Sequence, residues 1–293
     1  MSGFKTFAVV GAGDIGRFIL EELVRHIPDE TVTSVVALTR SSVGYEDLKA
    51  QGIVFKTIDY SDPAGLLASL QGIDVVISAI SGGGLLAQIS LADAAKAAGI
   101  KHFVLFEYGN PTIGKTEGIF GLKNRVREHL LALDLPYSQF FTGAFADWFF
   151  DGRPEWAFDL PNGKAVVRGS GNAPISWTSS PDIARYIVYI LTHLSPAEQK
   201  NTRFAMEGDR KTINQVLEEY QTRTGKKLDI TYESKEFLEK QVEEHPDDFE
   251  NGVIRRLFLE WENGQGQTGT PEEVNKYWPE FRPAKVVDVI LRL

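Results

Sequence analysis

The sequence predicts an α/β fold, a doubly wound parallel sheet followed by a smaller α+β lobe. Three observations predict it. Short apolar runs alternate with helical patterns through the first half of the chain, and such runs are what strands covered on both faces look like. The first run, Phe7-Ala8-Val9-Val10, leads directly into Gly11-Ala12-Gly13-Asp14-Ile15-Gly16 and then into a helical pattern. After about Thr142 the spacing changes, and short aromatic and glycine-rich segments replace the regular alternation. Residues 1–150 are therefore expected to form the sheet domain. Residues 151–293 are expected to form the smaller substrate lobe, interleaved with the first across a soft boundary.

The glycine turn carries the most information. A strand, then G-x-G-x-x-G, then a helix is the context of a dinucleotide-binding site. Gly11 lets the chain turn sharply out of the strand, Gly13 lets the backbone approach a pyrophosphate, and Gly16 lets the helix pack close to the sheet. Asp14 and Ile15 open the helix, whose free N–H groups and positive dipole end suit phosphates. The first half is thus Rossmann-type. A glycine turn that binds nothing is the alternative.

The elements follow in order. Thr6–Val10 reads as the first strand, and a helix runs from Asp14 to about His26. Ser34–Thr39 is the second strand, Tyr45–Gln51 a short helix and Ile53–Thr57 the third strand. Pro63, tolerated at a first helical turn, opens a helix through Leu70, and Asp74–Ser78 is the fourth strand. A helix from Leu85 to Ala98 stops at Gly99, a left-handed cap. His102–Phe106 is the fifth strand, about Glu117 to Leu133 a helix, and Tyr137–Phe141 the sixth strand.

In the second half, Val166–Gly171 and Ile175–Thr178 read as short strands around a glycine turn. Ser180 is the expected N-cap of a helix with Pro181 in its first turn. Thr202–Met206 and Leu228–Tyr232 read as strands, with a helix from Thr212 to Thr224 between them. Lys235–Glu244 and Asp248–Glu262 are polar helices, and Ala284–Leu291 is a short terminal helix.

Composition narrows the function. The chain has 293 residues, 43% hydrophobic and 24% charged, enough for a large globular core. Its net charge of −9 and the lack of any Lys/Arg-rich run advertise no nucleic-acid face. The absence of cysteine excludes disulfides, thiolate metal sites and a cysteine nucleophile. The five histidines, His26, His102, His129, His193 and His245, show no ligand spacing, so no metal is expected. No signal-peptide core and no run of about 18 apolar residues is present, which predicts a soluble, cytoplasmic protein without membrane contact. Asp247, Asp248 and Glu250 read as a solvated acidic surface.

Several side chains could carry chemistry. Arg40 ends the second strand, flanked by Thr39 and Ser41, where an NAD site usually places an acid. An arginine there accommodates a 2′-phosphate, so NADP(H) is favoured over NAD. Ala79, Ile80 and Ser81 end the fourth strand and should flank the cofactor, because ligands lie outside the carboxyl ends of strands near the reversal in strand order. Lys123 lies roughly 60° from the centre of the stripe formed by Ile119, Leu122, Val126, Leu130 and Leu133, at about 100° per residue. From that border it could reach a cleft above the fifth strand, or simply snorkel. Phe145, Trp148 and Phe149 could line an apolar pocket, or equally fill core. The sole Tyr-x-x-x-Lys, Tyr45–Lys49, comes too early for a dehydrogenase pair, and no G-x-S-x-G turn occurs.

At these residues the chain resembles the atypical short-chain dehydrogenases of the isoflavone reductase-like and NmrA-like group. The resemblance rests on Gly11–Gly16, on Phe103-Val104-Leu105-Phe106-Glu107-Tyr108-Gly109-Asn110 and on Phe120-Gly121-Leu122-Lys123-Asn124-Arg125-Val126-Arg127. The second segment corresponds to the family's R-F-x-P-S-E-F-G-N and the third to its F-x-x-K-x-x-V-R. Leu135-Pro136-Tyr137 and Asp182-Ile183-Ala184-Arg185 also fit. The resemblance implies an NADPH-dependent reductase of a small aromatic or heterocyclic substrate, with Lys123 as general acid/base. It also implies cofactor contacts at Phe106, Lys123, Gly143 and Phe145, and substrate contacts at Tyr108, Phe145, Trp148 and Phe149. Phe106 stands where the family usually has Ser, Leu105 where it has Pro, and Gly143 where plant reductases tend to have a polar residue. The alternative is a non-catalytic NADP(H)-sensing regulator that acts through a protein partner.

Overall fold

The computed structural model describes residues 3–245 and 249–293. Asp247 and Asp248 of the expected acidic surface lie outside the described residues. In chain order, β1 (Thr6–Val10), α1 (Asp14–Val24), β2 (Ser34–Thr39), α2 (Glu46–Ala50), β3 (Val54–Thr57), α3 (Pro63–Ser69) and β4 (Val75–Ser78) come first. A 3-10 turn, Gly82–Gly84, leads to α4 (Ala87–Ala97), β5 (His102–Val104), α5 (Gly118–Ala132) and β6 (Tyr137–Phe141). Then follow β7 (Ala144–Phe145), α6 (Ala146–Phe149), β8 (Phe158–Asp159), β9 (Lys164–Arg168), β10 (Ile175–Thr178), α7 (Ser180–His193) and α8 (Pro196–Gln199). The chain ends with β11 (Thr202–Ala205), β12 (Asp209–Lys211), α9 (Ile213–Thr224), β13 (Asp229–Glu233), α10 (Lys235–Glu244), α11 (Phe249–Glu260) and α12 (Val286–Ile290).

The large sheet has strand order β11-β6-β5-β4-β1-β2-β3. β1 pairs parallel with both β2 and β4, and β2–β3, β4–β5 and β5–β6 are also parallel. The chain winds outward from β1 through β2 to β3, then restarts as β4 on the other side of β1. That reversal puts a crevice at the carboxyl ends of β1 and β4. Phe7, Ala8, Val9 and Val10 are fully buried, as a two-faced strand requires. The sequence predicts six strands here, and the structure has seven. β11 comes from the second half of the chain and takes the edge beside β6.

Local chemistry explains the helix boundaries. Ile15, Ile19, Leu20 and Leu23 bury one face of α1. Asp62 caps α3 by accepting from the Gly65 N–H at 3.0 Å, with Pro63 following the cap. Thr212 and Gln215 form a capping box on α9, and Gly225 ends it at φ +71°. The cap of α7 differs from expectation. Ser180 already lies in the helix, and Ser179 Oγ accepts from the Asp182 N–H at 3.3 Å. The Ser180 N–H instead donates to Asp147 Oδ1 at 2.9 Å.

The chain divides into two compact units. The first takes the chain through Tyr108, then Thr112–Phe140 and Ala184–Phe204. The second takes Gly109–Pro111, Phe141–Ile183 and Ala205–Leu293. The second unit holds two three-stranded sheets, β12-β10-β7 and β13-β9-β8. β9 and β10 are thus not partners across a glycine turn, as the sequence suggests. Gly169 and Gly171 adopt φ +85° and +69° between them, and the two strands enter different sheets. Among the described residues, no helix is long and apolar enough to cross a membrane.

Candidate functional site

The glycine turn occupies the crevice between β1 and β4. Gly11 has φ +97°, and a Cβ there would meet Ala79 O at 2.9 Å. Its N–H donates to Leu38 O at 2.9 Å, while the Ala79 N–H donates to Val10 O at 2.8 Å. The turn is therefore stitched to the ends of β2 and β4. A Cβ on Gly16 would lie 2.0 Å from Gly11 O, so only glycine lets α1 begin this close to the strand. Gly13 is the opposite case, since a Cβ there meets nothing within 4 Å. It is exposed, and α1 starts beyond it without a side-chain cap. The Arg17 N–H reaches Gly13 O at 2.8 Å, so Asp14, Ile15 and Gly16 offer N–H groups that have no acceptor within the helix. Open space, an uncapped helix start and bare backbone fit a dinucleotide pyrophosphate.

Arg40 is exposed beside this turn. With Thr57, Ile58, Asp59, Tyr60 and Asp62 it lines an open recess of about 540 Å³. The loop that carries it is internally tied. Thr39 Oγ1 donates to Ser41 O at 2.7 Å, the Val43 N–H donates to Ser41 Oγ at 3.2 Å, and Lys49 Nζ donates to Ser42 O at 2.5 Å. Tyr45 stacks on Phe55 with ring centroids 4.9 Å apart. Tyr45 and Lys49 thus brace the Arg40 loop. At the end of β4, Ser78 and Ile80 are buried, Ala79 is half-buried and Ser81 is exposed.

A second constellation gathers between the end of β5 and α5. The helical stripe predicts a border position for Lys123, yet Lys123 is 7% exposed and Asn124 6%. Leu122 is more open than either. The first turns of α5 bury a polar face because that face finds partners. Lys123 Nζ donates to Glu107 O at 3.0 Å, and Asn124 Nδ2 donates to Thr112 O and Lys115 O, each at 2.6 Å. The Lys123 ammonium also lies 5.3 Å from the centroid of the Phe106 ring. Burial pushes Lys123 below the usual lysine range, helped by the nearby Lys115 and opposed by the charge of Glu107.

Glu107 is fully buried and receives a hydrogen bond from Thr112 Oγ1. Its Oε2 has no hydrogen-bond partner among the described residues. Burial pushes its carboxyl up, opposed by Lys123, Thr112 and Arg127. The Phe106 N–H donates to Gln88 Oε1 at 2.8 Å, and the Phe106 ring meets Tyr108 edge-on at 5.3 Å. Tyr108 is buried with its hydroxyl unpartnered among the described residues, and burial pushes its phenol up. Sequence reasoning gave Glu107, Thr112 and Asn124 no role. An acid directly after the apolar segment Phe103–Phe106 was the available signal for Glu107, because a charge there must find a buried partner.

The second unit sorts the remaining candidates. Gly143 has φ +66°, and a Cβ would lie 2.1 Å from Ser176 O, so backbone contact alone demands glycine. Phe145 and Trp148 are half-buried with rings 4.8 Å apart, and the Arg153 guanidinium lies 5.2 Å from Trp148. Phe149 is core rather than pocket. Six aromatic rings surround it, from Trp156 at 4.9 Å to Phe258 at 5.8 Å.

Residues 4–285 match the NmrA-like family. The chain belongs to that family. It is 31% identical over 292 residues to asnovolin J 5′,6′-dehydrogenase nvfM of Aspergillus novofumigatus, covering 90% of this chain and 85% of that protein. It is 26% identical over 252 residues to the isoflavone reductase homolog A622 of Nicotiana glauca, covering 83% and 81%. Among solved structures, the leucoanthocyanidin reductase–NADPH complex of Vitis vinifera matches with a TM-score of 0.82 at 19% identity, over 98% of each chain. As an NmrA-like chain, the protein has the Rossmann-type sheet that its glycine turn predicts.

Proposed function

We propose that this NmrA-like protein is an NADPH-dependent oxidoreductase that reduces a small aromatic or heterocyclic substrate, with Lys123 as general acid/base. The observation that carries the reading is a buried lysine of lowered proton affinity, held at Glu107 O in the same unit as an open, uncapped glycine turn. The reductase and dehydrogenase relatives support it. When bound, NADPH supplies the hydride.

The protein's own residues supply the rest. Gly11, Gly13 and Gly16, with the first N–H groups of α1 at Asp14 and Ile15, hold the pyrophosphate. Arg40 and Ser41 take the 2′-phosphate, and Ala79, Ile80 and Ser81 wall the crevice. Phe106 and Tyr108 present aromatic surface beside Lys123. Lys123 Nζ donates a proton to the substrate. Its depressed pKa brings that transfer closer to neutral pH, where general acid–base catalysis is most effective.

The test is an NADPH-oxidation screen across aromatic enones, imines and benzylic ethers, followed by Lys123→Ala. The variant is expected to keep its affinity for NADPH, read by cofactor fluorescence, and to lose turnover by about a hundredfold or more. Unchanged turnover removes Lys123 from the chemistry. NADPH binding without oxidation of any panel member favours a binding-only protein.

A further inference from the structure

We infer that Glu107 is a positioning residue for Lys123: its carbonyl anchors the Lys123 ammonium and its carboxylate is the counter-charge that keeps that ammonium ready for proton transfer. The inference rests on the reading of Lys123 as the acid/base group. It begins from an imbalance in the buried site. The Glu107 carbonyl accepts from Lys123 Nζ at 3.0 Å, and the fully buried carboxyl has one oxygen bonded to Thr112 and the other unpartnered among the described residues. A buried carboxylate with an oxygen left over is costly unless a cation offsets it.

The charged groups around the pair are few. Lys123 Nζ is held at the Glu107 carbonyl and beside the Phe106 ring, so the Glu107 side chain on that same residue and the like charge of Lys115 both act on it. Glu107 faces Lys123 and Arg127. Glu107 is therefore the anion acting on Lys123, and it opposes both burial and Lys115.

The carboxylate's charge is not needed to hold the loop in place. Asn124 ties the segment after β5 through Thr112 O and Lys115 O, and Thr112 needs only an acceptor at Oε1. A glutamine at position 107 keeps that acceptor and the anchoring carbonyl, and removes the charge alone. Two coupled groups report on each other, so the effect is reciprocal: each should titrate differently when the other is neutralised.

The experiment follows both titrations by NMR in the full-length protein, without cofactor or substrate. With 13Cε-lysine labelling and Lys123 assigned through Lys123→Arg, the Lys123 midpoint is expected to fall by about one unit or more in Glu107→Gln. Glu107→Asp, which keeps the anion, is expected to restore it to within about half a unit. With 13Cδ-glutamate labelling, Lys123→Met is expected to raise the Glu107 midpoint by a similar amount, a reading that needs no variant at Glu107. Midpoints that stay put in these variants overturn the inference. If Lys123→Ala leaves turnover intact while the titrations remain coupled, it is the acid/base reading that fails. If turnover collapses while the titrations are uncoupled, only the role of Glu107 fails.

Discussion

The carboxyl ends of β1 and β2 and the segment from β5 to α5 are both polar, but they are built by opposite means. The first is open. Gly13, Asp14, Arg40 and Ser41 are exposed, and the helix start has no side-chain cap. The second is closed. Glu107, Lys123 and Asn124 are buried, as is His102 at the amino end of β5, and burial moves Glu107, Lys123 and His102 away from their ordinary values. An open end suits the binding of a large anion, because the first N–H groups of a helix and an exposed guanidinium can turn towards it. A closed end suits proton chemistry, because burial is what moves a pKa.

The sharpest way to break the comparison is at the glycines. Gly16→Ala drives a Cβ into Gly11 O, a backbone atom that cannot rotate away. It is expected to destabilise the protein by about 3 kcal/mol or more, at or beyond the upper end for overpacking, and to abolish NADPH binding. Gly13→Ala meets empty space and is expected to change stability by no more than about 0.5 kcal/mol while still weakening NADPH binding. Urea denaturation and cofactor titration measure both. If the two alanines behave alike, the turn is not built around an approaching ligand.

Arg40 tests the same end at a smaller scale. Arg40→Ala is expected to weaken NADPH by roughly tenfold to a hundredfold, the range of a charge-assisted hydrogen bond worth about 1.5–3 kcal/mol. NADH affinity should hardly change, since NADH lacks the 2′-phosphate. Dissociation constants for the two cofactors decide it, and equal losses would remove Arg40 from the phosphate site.

How much of this was readable in advance follows the same division. The glycine turn was legible because each glycine answers a backbone requirement that leaves its mark in the residue type. Most strands were legible because two-faced burial produces apolar runs. β11 was not, because a four-residue strand such as Thr202–Ala205 carries no sign of which sheet it will join. The reach of Lys123 towards β5 was legible, but its burial was not, for a related reason. Helical periodicity counts apolar residues, whereas α5 buries Lys123 and Asn124 through carbonyls at Glu107, Thr112 and Lys115. A buried polar face is invisible until its partners are known. The aromatic crowd after Thr142 left core and pocket open. Six rings around Phe149 decide that residue, and nothing in the spacing of Phe145, Trp148 and Phe149 distinguishes them.

The burial that closes the segment after β5 extends back to the strand's amino end, and it makes a prediction of its own at His102. Burial pushes this histidine down to about 3. Ser138 Oγ lies 2.7 Å from His102 Nε2 and donates onward to Gln199 O, so Nε2 carries the proton and Nδ1 is bare. Nδ1 has no partner among the described residues, and protonating it would bury an unmatched charge. An unfolded histidine titrates near 6.5. Between that value and the folded one, the unfolded chain binds the extra proton, so stability rises with pH and is lost as pH falls from about 6.5 towards 3. The loss attributable to His102 between about pH 7 and pH 5 should reach roughly 2 kcal/mol. His102→Gln keeps a side-chain amide facing Ser138 and cannot titrate, so its urea midpoint should depend less on pH over that range than the parent's. A pH dependence identical in both would mean that water reaches the amino end of β5, and the closed burial would then be confined to Glu107 and Lys123 at its other end.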